Sequence, residues 1–129
     1  MMNNDIQTFL KKAGDSACYV LCLLDVAFSD NRPFDLVYCL QTIVNKGWVR
    51  SDFYVLRPDL ILQEFTGCKW EVFKAGADYV PAKNEYEIDY YERGSIGHFD
   101  RPDFHPIVNS RTVKEGRLVS KRICRKVGY

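Results

Sequence analysis

The chain has 129 residues, a formal net charge of +1 and 47% hydrophobic residues. This length favours one domain over residues 1–129, with a core that needs neither disulfides nor metal. The composition excludes a disordered chain, and the balanced charge argues against a general binder of polyanions. No apolar run is long enough to span a membrane, and the first residues lack the layout of a signal peptide. We therefore expect a cytoplasmic protein without membrane contact.

Five cysteines are spaced without a CxxC or CxxH pattern, and only two histidines accompany them. These spacings do not build a zinc site, so we expect neither a metal nor a cofactor. An odd number of cysteines also fits a reducing compartment better than a disulfide framework. The cysteines are Cys18, Cys22, Cys39, Cys68 and Cys124.

The N-terminal half predicts helices. After a short helix over residues 6–12, the most apolar run of the chain, residues 14–27, predicts a buried helix that Asp15 or Ser16 caps at its start. A second helix is expected over residues 34–45, with Val44 on its inner face. A third is expected over residues 58–65, opened by proline and closed by glycine.

In the C-terminal half, apolar and polar residues alternate, a pattern that predicts β-strands. Strands are predicted over residues 69–73, 85–91, 94–99 and 118–127. Helices followed by antiparallel strands indicate an α+β domain, with about three helices packed on a sheet of four or five strands.

Cys18 and His98 are the candidate catalytic residues of the chain. Cys18 falls in the first turn of the apolar helix, where the helix dipole favours a thiolate. His98 follows two glycines at a predicted strand. A thiol and a distant imidazole are the minimum for nucleophilic catalysis, the imidazole taking the thiol proton. From spacing alone, the pattern favours a buried core Cys18 and a strand-end His98 bonded to a carbonyl, because five cysteines and two histidines give many accidental pairs.

Several short motifs occur in a fixed order along the chain. They are Gly14 with Ala17-Cys18-Tyr19-Val20-Leu21, then Gly47-Trp48-Val49, Pro58-Asp59-Leu60-Ile61-Leu62, Gly97-His98-Phe99 and Thr112-Val113-Lys114-Glu115-Gly116. In this order the chain resembles small phage and prophage proteins related to papain-like cysteine peptidases of the bacteriocin-processing kind. The resemblance implies a papain-like fold, with Cys18 as nucleophile and His98 as general base.

Two positions depart from the pattern that the resemblance implies. Where the family has an aspartate before proline, this chain has His105, so Asp103 or His105 is the candidate that orients the imidazole. An oxyanion-hole glutamine is expected six residues before the cysteine, where this chain has Lys12. The backbone N–H of Cys18 remains a candidate oxyanion donor.

Three functions follow from these observations. The first is a cysteine-type peptidase or amidase that acts on a peptide or protein substrate. The second is an inactive module of the same fold that holds a peptide, a small ligand or a host protein. The third is a nucleic-acid binder that uses seven basic residues between positions 111 and 126. The low net charge predicts that any such nucleic-acid binding is weak.

Overall fold

A computed structural model of the protein describes residues 17–51, 54–94, 96–101 and 116–128. Within these ranges the architecture is α+β, as predicted, with three helices and four strands. They are α1 (Ala17–Ala27), α2 (Leu36–Asn45), α3 (Pro58–Thr66), β1 (Lys69–Gly76), β2 (Glu85–Arg93), β3 (Ile96–Asp100) and β4 (Arg117–Gly128). The helix predicted over residues 6–12 and the candidates Asp103 and His105 lie outside the described residues.

Local capping sets the bounds of α2 and α3. The Asp35 side chain accepts a hydrogen bond from the Tyr38 N–H at 3.2 Å, so α2 begins at Leu36 rather than two residues earlier. Pro58 opens α3. Gly67 ends it in the left-handed conformation, with φ of 74°.

The four strands form one antiparallel sheet in the order β1-β4-β2-β3. β4 lies between β1 and β2, although the chain reaches it last. β3 pairs with β2 on one side only, and among the described strands none pairs with its other edge. This open edge of β3 faces the start of α1.

α1 is the central helix of the core. It packs against α3 and β3, and α3 packs on β1. Its apolar side chains are buried, as the sequence predicts, and the most completely buried are Cys22, Leu23 and Leu24. α2 buries Cys39, Leu40 and Ile43, but Val44 is 48% exposed. The prediction that Val44 lies on the inner face is wrong, because fewer of the apolar residues of α2 are buried than its sequence pattern suggests.

The lengths of the helices bear on the prediction that no segment spans a membrane. None of the three described helices is long and apolar enough to cross a bilayer.

Candidate functional site

The Cys18 thiol lies at the open edge of β3. Its Sγ accepts a hydrogen bond from the backbone N–H of Phe99 at 3.2 Å. An edge strand has backbone groups that need partners outside the sheet, and here a helix side chain supplies one. The contact joins residues 81 positions apart in the chain. The first turn of α1 is thereby docked onto the strand that carries His98.

His98 is the residue before Phe99 in β3. It is almost fully buried, with 2% of its surface exposed. The Phe99 ring stacks on Tyr19 of α1, with ring centroids 4.5 Å apart. Because successive side chains of a strand point to opposite faces, the His98 ring leaves β3 on the other face, beside its cross-strand partner Tyr91. Neither ring nitrogen has a hydrogen-bond partner within residues 17–51, 54–94, 96–101 and 116–128. The imidazole is therefore not committed to a structural hydrogen bond there.

A buried ion pair fixes the end of β3 to the same helix. Arg101, one residue after β3, places its Nε 2.8 Å from Oδ2 of Asp25. Its guanidinium also donates to the Glu87 carbonyl. Cys18 and Asp25 are seven residues apart and share one face of α1. This pair was not predicted from the sequence, although a lone aspartate in an otherwise apolar helix is a signal of a buried partner.

The face of the sheet that carries His98 also carries buried acids. Asp89 of β2 lies directly opposite Asp100 of β3, next to the pair formed by Tyr91 and His98. The Oδ1 atom of Asp89 is buried and has no hydrogen-bond partner in the described ranges. Burial, and then the neighbouring Glu87, raise the pKa of Asp89 to about 7. Asp89 was not among the residues predicted from the sequence.

Three of the other four cysteines have raised pKa values, which makes their thiols less reactive. All five are buried thiols. Burial raises the pKa of Cys22 well above that of an ordinary thiol. It raises the pKa of Cys124 to about 12, and burial with the nearby Asp35 raises that of Cys39 to about 11. These thiols are core residues that stay protonated at neutral pH.

An aromatic cluster lies on the helix side of β3. The Phe99 ring contacts Tyr19 and also Tyr90, whose centroid is 4.7 Å away. The Arg122 guanidinium lies over both strand rings, 5.3 Å from the Phe99 centroid. Gly97 makes this packing possible, since a Cβ at that position would collide with the Tyr90 hydroxyl.

The basic residues described on β4 do not form one strip. Alternation sends Lys121 and Arg125 to one face of the sheet and Arg122 and Lys126 to the other. Lys121 pairs with Glu87 at 3.2 Å, and Lys126 lies over the Trp70 ring. Arg125 pairs with Glu85 at 2.6 Å. The described cations are therefore divided between two faces and engaged by neighbours.

A groove at the far end of α1 is separate from Cys18 and His98. Its volume is about 290 Å³, and its lining includes Val26, Trp70, Tyr86 and Lys126. Within the ranges that the structure describes, no three His, Cys, Asp or Glu side chains are grouped so that they could hold a metal ion.

Comparison with known proteins shows which family the chain belongs to. No curated protein and no solved structure is similar enough to match the chain. A family described as "Protein of unknown function, DUF261" matches residues 1–126. This match covers nearly the whole sequence, including the helix that carries Cys18 and the strand that carries His98. The chain therefore belongs to the DUF261 family.

Proposed function

We propose that the protein is a cysteine-type hydrolase of peptide or amide bonds, with Cys18 as nucleophile and His98 as general base and acid. The observation that carries the proposal is the 3.2 Å hydrogen bond from the Phe99 N–H to the Cys18 sulfur. It sets the thiol beside the strand residue that follows His98. The resemblance to papain-like phage and prophage proteins supports a single papain-like domain over residues 1–129.

The proposed reaction begins with proton transfer from the Cys18 thiol to the imidazole of His98. Because the His98 ring leaves β3 on the face opposite to α1, this transfer requires β3 to rearrange so that the ring reaches the thiol. The thiolate attacks the carbonyl carbon of the substrate, and the backbone N–H of Cys18 is the proposed donor to the developing oxyanion. The C–N bond then breaks, and the leaving amine takes the proton from His98. Water adds to the resulting thioester, gives a proton to His98 and releases the acid, and the thiol is restored.

Three features of the described site support this chemistry. The Phe99 N–H donates to the sulfur, and such a donor favours the thiolate over the thiol. The His98 ring nitrogens have no partner in the described ranges, so the ring is available as a base. The other cysteine of the same helix face, Cys22, is 0% exposed and fully within the core. Only Cys18 of the two lies at the edge of β3.

Burial of the site favours a second candidate function. Cys18 is 6% exposed and His98 is 2% exposed. A peptide carbonyl reaches so buried a sulfur only after the surrounding chain moves. An inactive module of the same fold, which binds a peptide, a small ligand or a host protein, needs no such access. The five buried thiols are consistent with a reducing compartment, such as the cytoplasm, for either function.

A cleavage assay separates the two functions. The wild type is incubated with fluorescently labelled casein and with a panel of peptide amides, beside Cys18→Ala and the matched control Cys22→Ala. The hydrolase predicts product from the wild type and from Cys22→Ala, and none from Cys18→Ala. If all three folded proteins release no product, or if Cys18→Ala is as active as the wild type, the hydrolase is contradicted.

A further inference from the structure

We infer that Asp89 of β2 is the residue that positions the imidazole of His98, a role that rests on the proposed function. The candidates from the sequence, Asp103 and His105, follow His98 in the chain. Asp89 instead precedes it, on the strand paired with β3. Asp89 is a positioning residue because it would act through His98 and not on the substrate.

The strand register places the two side chains on one face. β2 and β3 pair without irregularity, Asp89 opposite Asp100 and Tyr91 opposite His98. Directly opposite residues of an antiparallel pair share a face, so Asp89 and His98 are diagonal neighbours. Diagonal neighbours lie about 7 Å apart, a separation that rotation of an aspartate and a histidine side chain can bridge.

Both groups are buried and have unused hydrogen-bonding capacity. Asp89 is 5% exposed and His98 is 2% exposed. Within the described ranges Oδ1 of Asp89, Nδ1 of His98 and Nε2 of His98 have no partner. Buried polar atoms are costly without hydrogen bonds, and a bond between these two side chains satisfies one atom of each.

Two neighbouring carboxylates on this face have partners of their own. Oδ1 of Asp100 accepts the Arg101 N–H at 2.8 Å. Glu87 is paired with Lys121 at 3.2 Å. The Tyr91 hydroxyl lies 3.5 Å from Oδ2 of Asp89, so Oδ1 is the oxygen of this carboxyl that remains for the diagonal neighbour His98.

The chemical consequence concerns the tautomer of His98. A carboxylate that accepts the N–H of one ring nitrogen leaves the other nitrogen as the base. It also stabilises the imidazolium that forms when the Cys18 proton is taken. Asp89 therefore supplies the orientation that the proposed base requires, and in its ionised form it also supplies the charge.

An NMR titration of the ring nitrogens tests this inference. The chain has two histidines, so His105→Gln assigns the His98 signals in ¹⁵N-histidine-labelled protein. We expect Asp89→Asn to lower the His98 titration midpoint by about one pH unit and to change its neutral tautomer mixture. Asp100→Asn is the matched control, on the same face and directly opposite Asp89. An unchanged midpoint in Asp89→Asn, or an equal shift in Asp100→Asn, would overturn the inference.

A second measurement does not depend on whether Asp89→Asn folds. In the wild type, the carboxyl ¹³C signal of Asp89 should show an inflection at the His98 midpoint, and its absence overturns the inference. These readouts do not involve Cys18, so they separate the two claims. If Asp89→Asn shifts His98 while His98→Gln leaves Cys18 alkylation unchanged, the Asp89 contact is supported and only the proposed hydrolase fails.

Discussion

The guanidinium Nε of Arg101 lies 2.8 Å from Oδ2 of Asp25, and the two side chains are 5% and 2% exposed. This ion pair joins α1 to the end of β3, about two helical turns from the contact between Cys18 and Phe99. Two separate contacts therefore hold the helix along the open edge of the strand. The relative position of Cys18 and His98 depends on both.

We predict that Arg101→Ala destabilises the protein by about 3–5 kcal/mol, because it removes the buried guanidinium that pairs with the Asp25 carboxylate. Chemical denaturation measures the change in the free energy of unfolding. Replacing both partners, with Asp25→Leu and Arg101→Met, should recover much of this loss, because no buried charge is then left.

The control for this prediction is the exposed pair of Arg57 and Asp59, 3.0 Å apart. Arg57→Ala should cost much less than Arg101→Ala, since solvent screens that pair. An equally small loss from Arg101→Ala would mean that the buried pair does not hold α1 on β3.

The second prediction concerns acid stability and Glu85 at the start of β2. Its carboxylate accepts the Ala82 N–H at 2.8 Å and the Tyr79 hydroxyl at 2.7 Å, and it pairs with Arg125. These contacts, the Ala82 N–H first, lower the pKa of Glu85. The unfolded chain therefore takes up this proton at a higher pH than the native protein. The stabilisation is present above the unfolded pKa and is lost as the pH falls.

We expect Glu85→Gln to reduce the loss of stability between about pH 5 and pH 3, as measured by urea denaturation at each pH. Glu92→Gln serves as the control, since Glu92 lies on the same strand with its side chain 42% exposed. If the two variants follow the same pH dependence, the contacts of Glu85 do not contribute.

The third prediction concerns thiol reactivity. Iodoacetamide at neutral pH should label Cys18 before the other four cysteines, by a factor of at least about ten over Cys22, because burial keeps Cys22 protonated. Mass spectrometry of peptides from a time course gives the order. Equal labelling of Cys18 and Cys22 would show that Cys18 is an ordinary core cysteine.

The fourth prediction concerns Gly97. Gly97→Ala should destabilise the protein by about 1–3 kcal/mol, because the added Cβ displaces the Tyr90 ring from its contact with Phe99. Gly128→Ala is the control, since a Cβ there meets nothing within 4 Å. Thermal denaturation compares the two. A loss from Gly128→Ala as large as that from Gly97→Ala would contradict the steric argument.

The helices were predictable because their signals are local. Pro58 and Gly67 mark the two ends of α3 in the sequence itself, and the structure moves the predicted C-terminal bound by one residue. The start of α2 lies two residues later than predicted because the cap is Asp35, whereas Pro33, two residues before Asp35, favours an earlier start. Errors of this size arise where two residues compete for one role.

The pairing of the strands was not predictable in the same way. Alternation identifies β4 as a strand, but it does not say that β4 lies between β1 and β2. The position of Asp89 beside His98 depends on the register between β2 and β3. This register cannot be predicted from the sequence of either strand alone. Likewise, the sequence suggested Cys18 and His98 separately, and the contact through Phe99 requires the whole fold.

The pH dependence of Cys18 alkylation, in the wild type and in His98→Ala, tests the proposed pair most directly. If His98 takes the thiol proton, the wild type should react at a pH well below the range of a free thiol. His98→Ala should then move the midpoint of the profile toward about 8.5. Coincident profiles in the two proteins would contradict the proposal that Cys18 and His98 act together.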